Sequence, residues 1–131
     1  MKAGASHVVP LSDVALEILK GQAERRSSDF IFPGRNGGKP SYSNFQVAPR
    51  SAGIDAATAH GWRSAFRDAG EDILGIDDKT LEACLAHSLG KVAKAYRRET
   101  GVEARRAALQ TYCDWLMGRI PASNVVPFKR A

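Results

Sequence analysis

The amino-acid sequence predicts a mainly helical α+β domain with a small antiparallel β element near its N-terminus. Apolar residues recur at helical spacing in several separate stretches, most of them opened by a Ser, Thr or Asp. Glycines and prolines punctuate the chain between them, which keeps the helices short. One β-branched run, Val8-Val9 before Pro10, departs from the helical pattern and reads as extended. The 131 residues are 44% apolar and 25% charged. That is ordinary for a globular chain, and the length suffices for a core that buries roughly two thirds of the unfolded surface.

Residues 6–11, Ser-His-Val-Val-Pro-Leu, form the expected strand, which Pro10 confines to an edge or a strand end because it has no N–H to donate. Ser12 reads as a helix N-cap, with Leu11 and Leu16 placed as a hydrophobic staple. Val14, Ala15, Ile18 and Leu19 make the apolar stripe of a helix running to about Ala23, and the polar residues 24–28 end it. Asp29-Phe30-Ile31-Phe32 is a brief extended segment. Residues 33–41 hold three glycines and two prolines and form a loop. Its spacing approaches that of a phosphate-binding loop but is one residue short, and Pro40 stands where a magnesium-binding hydroxyl is needed, so that reading fails. Another helix is expected within 43–53.

Thr58 is placed to cap a helix over 59–69, closed by Gly70. Leu74-Gly75-Ile76 is a turn. Asp77 or Asp78 caps a further helix through Ser88, with Leu81, Cys84 and Leu85 inward, and Gly90 breaks it. Residues 91–98 are helical in pattern. Gly101 precedes a last helix whose stripe is Val102, Leu109, Tyr112, Cys113, Leu116 and Met117, ended by Gly118. No internal repeat is visible. Residues 119–131 form an arm with two prolines and three basic residues.

Nineteen Lys and Arg against fourteen Asp and Glu give a net charge of +5. Lys91, Lys94, Arg97, Arg98, Arg105 and Arg106 crowd one stretch, against Glu99 and Glu103. Such a cluster is either a solvated helix face or a contact for a polyanion. No apolar run reaches the ~20 residues of a membrane helix, and the N-terminal residues lack the apolar stretch of a secretion signal. The expected compartment is the cytoplasm, with no membrane partner. Cys84 and Cys113 are too few for a disulfide framework. Cys84 and His87 make one C-x-x-H pair without a second, so no metal site is expected.

The helix over 59–69 carries the most information. At about 100° per residue, Trp62, Ala65, Phe66 and Ala69 share one face, and His60, Arg63, Ser64 and Arg67 share the opposite one. The first set reads as core. The second is either a solvated polar face or an anion site, because a guanidinium offers a planar fork of donors to phosphate oxygens and imidazole can donate or move a proton near neutrality. Downstream come Leu85-Ala86-His87 and then Tyr96, nine residues after His87 and inside the basic stretch.

This order resembles the phage integrase family of tyrosine recombinases, especially the integrases of satellite phages and genomic islands. His60-Gly61-Trp62-Arg63 matches the family's H-x-x-R box, and Leu85-Ala86-His87 with Tyr96-Arg97-Arg98 matches its second histidine and nucleophile box. Lys2, with residues 7–12 after it, is similar to the hairpin lysine and the strand that follows; Phe30 to Gly34 and the last helix through Trp115-Leu116 also fit. The resemblance implies the recombinase catalytic fold, with residues 1–118 as the C-terminal part of a catalytic domain. It implies that Tyr96 attacks a DNA phosphodiester to form a 3′-phosphotyrosyl link, and that Arg63 stabilises the charge on the non-bridging oxygens. His60 assists proton transfer at the tyrosine, His87 is a further donor to the phosphate, and Lys2 protonates the departing 5′-oxygen. No cofactor is implied.

The elementary chemistry agrees. A phenol with a pKa near 10 is a weak nucleophile at pH 7 unless cations or a base stabilise its anion. Arg63, Arg97 and Arg98 could supply that field. A phosphotyrosyl link conserves the energy of the phosphodiester, so the reaction needs no ATP. Tyr112, on an apolar stripe, and Tyr42, in a Ser-rich loop ahead of the motifs, are the competing tyrosines. Expected phosphate contacts are Lys91, Lys94, Arg97, Arg98 and Arg67, with Arg50 as an addition. The implied partners are double-stranded DNA and other integrase protomers, a tetramer on DNA at the nucleoid. The apolar patch Val125-Val126-Pro127-Phe128 in the arm either docks on a neighbouring protomer or packs on its own domain.

The sequence departs from the family at one point. The further catalytic arginine, expected in a G-x-R-type helix upstream of the hairpin lysine, has no counterpart among these residues. The expectation is that the chain by itself shows little strand cleavage. The rival readings are a non-catalytic DNA-binding or partner-binding remnant of an integrase, and an unrelated helical binding module.

Overall fold

The structure, a computed structural model, describes residues 8–55, 58–86 and 101–120. The described elements are all helical: α1 (Asp13–Glu24), a short 3₁₀ turn (Arg35–Gly37), α2 (Tyr42–Ser51), α3 (Ala59–Asp68), a π-helical turn (Ala69–Ile73), α4 (Asp78–Cys84) and α5 (Val102–Leu116). The chain divides into two compact units. One comprises Met1–Ser12 with Phe66–Ala131, the other Asp13–Ala65.

The first unit holds the core. Phe66, Leu81 and Leu85 are buried together, with Ile76, Cys84, Leu109 and Tyr112 packed around them. Leu81 is 0% exposed, and burial on that scale contributes roughly 1.5–3 kcal/mol. The Tyr112 ring meets Phe66 edge-on, at 4.9 Å between centroids and 79° between planes.

The route from α3 to α4 differs from the expected one. Gly70 does not close α3: the helix passes directly into the π turn, where the Leu74 amide donates to the Ala69 carbonyl at 3.1 Å. The reason is packing. A Cβ on Gly70 would lie 2.5 Å from Leu81 Cδ2, so glycine is what lets the turn lie against α4. The chain reverses one turn later at Gly75, whose φ of +63° suits glycine. Asp77 then caps α4, as one of the two expected candidates. Its Oδ1 accepts from the Thr80 amide at 3.0 Å and its Oδ2 from the Thr80 hydroxyl at 2.7 Å. Hydrogen bonding from Thr80 holds the Asp77 carboxyl below the usual range.

α5 begins and ends close to expectation, with Gly118 at φ +67° beyond its end. Its inward stripe is different. Arg105 and Ala108 are buried and Leu109 and Tyr112 pack on the core, whereas Leu116 and Met117 are exposed. α4 has 7 residues and α5 has 15. A helix of roughly 10 Å cannot cover one of roughly 22 Å.

The expected N-terminal β element is absent among the described residues. Residues 8–12 are without regular structure. Pro10 has no amide for a ladder, and the Val8 carbonyl is taken by the buried Arg105, whose Nη1 donates to it. The rest of that expected element, Lys2 included, lies outside the described residues.

In the second unit, α1 runs one residue beyond the expected end and buries none of its residues. Its expected stripe is only half-buried at Val14, Ala15 and Leu19, with Ile18 exposed. Residues 29–32 bend instead of extending, because the Ser28 hydroxyl accepts from the Phe30 amide at 3.2 Å and curls the chain. The glycine-rich loop is closed by the Gly34 amide on the Gly38 carbonyl at 2.8 Å. α2 contains Pro49, which leaves one helical hydrogen bond unmade, and ends two residues later.

Candidate functional site

The site starts from the capping of α3. The Thr58 hydroxyl accepts from the Gly61 amide at 2.9 Å, and the Thr58 carbonyl accepts from the Trp62 amide at 3.1 Å. This is the expected cap, and it fixes where the helix begins. From that start, His60, Arg63, Ser64 and Arg67 fall on one face, and all four are exposed.

The opposite face is divided. Phe66 is buried, but Trp62, expected inside, is 52% exposed and Ala65 is also exposed. The core gathers at the C-terminal end of α3, where Phe66 and Gly70 meet Leu81. The first turns of the helix carry no such packing among the described residues.

Arg67 is engaged by the protein itself. Its Nη2 donates to Asp78 Oδ1 at 2.7 Å, and its Nε lies 3.6 Å from Glu82 Oε1. The hydrogen bond and charge of Asp78 hold the guanidinium more firmly protonated than usual. Of the other expected site residues, His87, Tyr96, Lys91, Lys94, Arg97, Arg98 and Lys2 lie outside the described residues. The last described position before residues 87–100, Ala86, has φ +54°, a conformation rare for a residue with a Cβ.

The competing tyrosines are distinguished by their surroundings. Tyr112 is half-buried against Phe66 and Trp115, and burial pushes its phenol above the usual range. Its phenolate is therefore disfavoured, which argues against a nucleophile. Tyr42 is 71% exposed and is the first residue of α2, not a loop residue.

Two charged residues are buried: Glu82, on α4, which the sequence does not single out, and Arg105, on α5, which the basic cluster places on a solvated or polyanion-binding face. Arg105 had a legible signal, since it stands three and four residues before Ala108 and Leu109 and so opens their stripe. Glu82 directly follows Leu81 and gave none. Cys84 is half-buried beside Arg105, and burial raises its thiol above the ordinary value. Among the described residues, no three His, Cys, Asp or Glu side chains gather as a metal site. No helix there is long and apolar enough to cross a membrane.

Comparison with known proteins gives one consistent result. The chain is 38% identical over 117 residues to prophage integrase IntZ of Escherichia coli (strain K12), and 35% identical over 119 residues to prophage integrase IntA of the same strain. It is 30% identical over 122 residues to the integrase of Shigella phage Sf6. These matches take in 87–88% of this chain but only 29–31% of the relatives' length. No protein-family model matches the chain, and neither does any solved structure.

Proposed function

We propose that this chain, a relative of the phage and prophage integrases over most of its length, carries residues for DNA strand cleavage and rejoining in site-specific recombination. The observation that carries this reading is the exposed pair His60 and Arg63, three residues apart on the capped helix α3. It stands ahead of His87 and Tyr96 in a chain related to integrases.

In this reading Tyr96 Oη attacks the scissile phosphorus. A phosphotyrosyl ester forms at the 3′ end, the bond to the 5′-oxygen breaks, and Lys2 supplies the proton that oxygen needs. Arg63 donates to the non-bridging oxygens, whose charge grows in the transition state. His60 takes part in proton transfer at the phenol, and His87 donates to the same phosphate. The reverse attack by a 5′-hydroxyl restores the phosphodiester and frees Tyr96. Duplex DNA and further integrase protomers are the partners, in a tetramer on DNA. Lys91, Lys94, Arg97 and Arg98 supply contacts to the backbone phosphates.

The test is a nicked suicide duplex, offered to the chain alone and to the chain joined to the preceding segment of prophage integrase IntZ. The joined protein is expected to leave a denaturant-resistant protein–DNA adduct that Tyr96→Phe abolishes, and the chain alone little or none. Absence of an adduct from the joined protein would favour a non-catalytic DNA-binding role.

A further inference from the structure

Arg67 shares a helix face with Arg63, four residues earlier, and in sequence both look like cations facing a phosphate backbone. The surroundings of Arg67 argue otherwise for that residue. The Arg67 guanidinium spans two carboxylates of α4, with Asp78 Oδ1 at 2.7 Å from Nη2 and Glu82 Oε1 at 3.6 Å from Nε. Asp78 is at the surface, but the Glu82 side chain is only 12% exposed. A carboxylate so withdrawn from water needs a nearby cation. Glu71 adds a third negative charge to the neighbourhood. A phosphate approaching Arg67 would meet this acidic cluster and would have to displace Asp78.

We propose that Arg67 is a positioning residue and not a phosphate ligand: by bridging Asp78 and Glu82 it holds the C-terminal end of α3 to α4. The guanidinium donates to Asp78 and lies within ion-pair range of Glu82 one turn further along α4, a span that the single point charge of an ammonium matches less well. The packing nearby points the same way. Phe66, the residue before Arg67, is in the core, and Gly70 lies directly against Leu81, the residue before Glu82. Ion pair and packing together fix the end of α3. This inference rests on the recombinase reading for what Arg63 does, but not for where Arg67 is bound.

Two measurements test it. In the 131-residue chain, the slope of log affinity for a duplex against log salt is expected to be the same for Arg67→Gln as for the parent. Loss of a phosphate ligand would make the slope shallower by about 0.9, and that result overturns the proposal. In the joined protein, Arg67→Gln is expected to slow adduct formation at saturating duplex about ten- to a hundredfold, with unchanged affinity. Arg67→Lys should fail to restore the rate, and Arg67→Gln added to Arg63→Lys should cost nothing further, because one acts through the other. Fully additive losses overturn the proposal. Should Arg67→Gln fold poorly, Arg67→Gln with Glu82→Gln removes both charges together and is read in the same assays. If the parent joined protein forms no Tyr96-dependent adduct, the recombinase reading falls, and the salt slope alone decides the role of Arg67.

Discussion

A side chain's role here depends on what surrounds it more than on its type. Arg67 looks in sequence like a cation facing a phosphate backbone, yet it is bound by two carboxylates of α4. Tyr112 carries a phenol that could serve as a nucleophile, but burial against Phe66 makes it a packing group. Gly70 shows the same dependence. Replacing glycine by alanine within a helical turn gains up to about 1 kcal/mol of propensity. The new methyl would meet Leu81 Cδ2 at 2.5 Å, and Leu81, fully enclosed, would have to shift within the core. Overpacking of that kind costs about 1–3 kcal/mol, so Gly70→Ala is expected to destabilise the protein by about 1 kcal/mol. A denaturant midpoint equal to or above that of the parent would contradict this. Nothing in the sequence distinguishes Gly70 as a packing glycine from Gly70 as a helix terminator, because the two need the same residue and differ only in what lies opposite.

Element boundaries were legible wherever a local hydrogen bond sets them. Thr58 and Asp77 cap α3 and α4 as their positions before the helical runs suggested, and both bonds connect residues three apart. Asp77→Ala is expected to cost about 1 kcal/mol at neutral pH. The folded state holds the Asp77 carboxyl below its ordinary value, and the unfolded carboxyl titrates near 3.9. The cap therefore contributes in full above about pH 4 and loses its contribution as the pH falls through the lower, folded value. The gap in stability between the parent and Asp77→Ala should narrow correspondingly in acid; a gap constant from pH 7 to pH 2 would show that the charge of the cap is irrelevant. The elements that depart from the sequence pattern depend on distant partners. The N-terminal extended run finds no ladder among the described residues because Arg105, 97 positions away, takes the Val8 carbonyl. The far end of α5 is exposed because α4 is too short to cover it.

For the whole molecule, the excess of basic residues is the property with the broadest consequence. Four cations between positions 91 and 98 stand in a chain of net charge +5. If all four neutralise phosphates, log affinity for duplex DNA should fall against log salt with a slope of roughly −3.6, at about −0.9 per contact. Fluorescence anisotropy with a labelled duplex over a range of salt would measure it, and affinity indifferent to salt would remove the phosphate-binding surface. The two compact units hold different parts of the expected site. The unit comprising Met1–Ser12 and Phe66–Ala131 contains the core and the Arg67 bridge. The unit Asp13–Ala65 contains the exposed His60 and Arg63 and leaves α1 without a buried residue.

Periodicity and caps sufficed for the helical character, for the starts of α1, α3 and α4, and for the common face of His60, Arg63 and Arg67, because each rests on contacts within a few residues along the chain. The kinship with integrases was likewise carried by short motifs in a fixed order, and the comparisons agree with it. Packing settled the rest: that Trp62 is exposed while Phe66 is buried, that Glu82 and Arg105 are withdrawn from water, and that Arg67 is tied to α4. Burial and ion pairing join residues that are far apart along the chain, and a linear pattern records the spacing of neighbours but not which segments will meet.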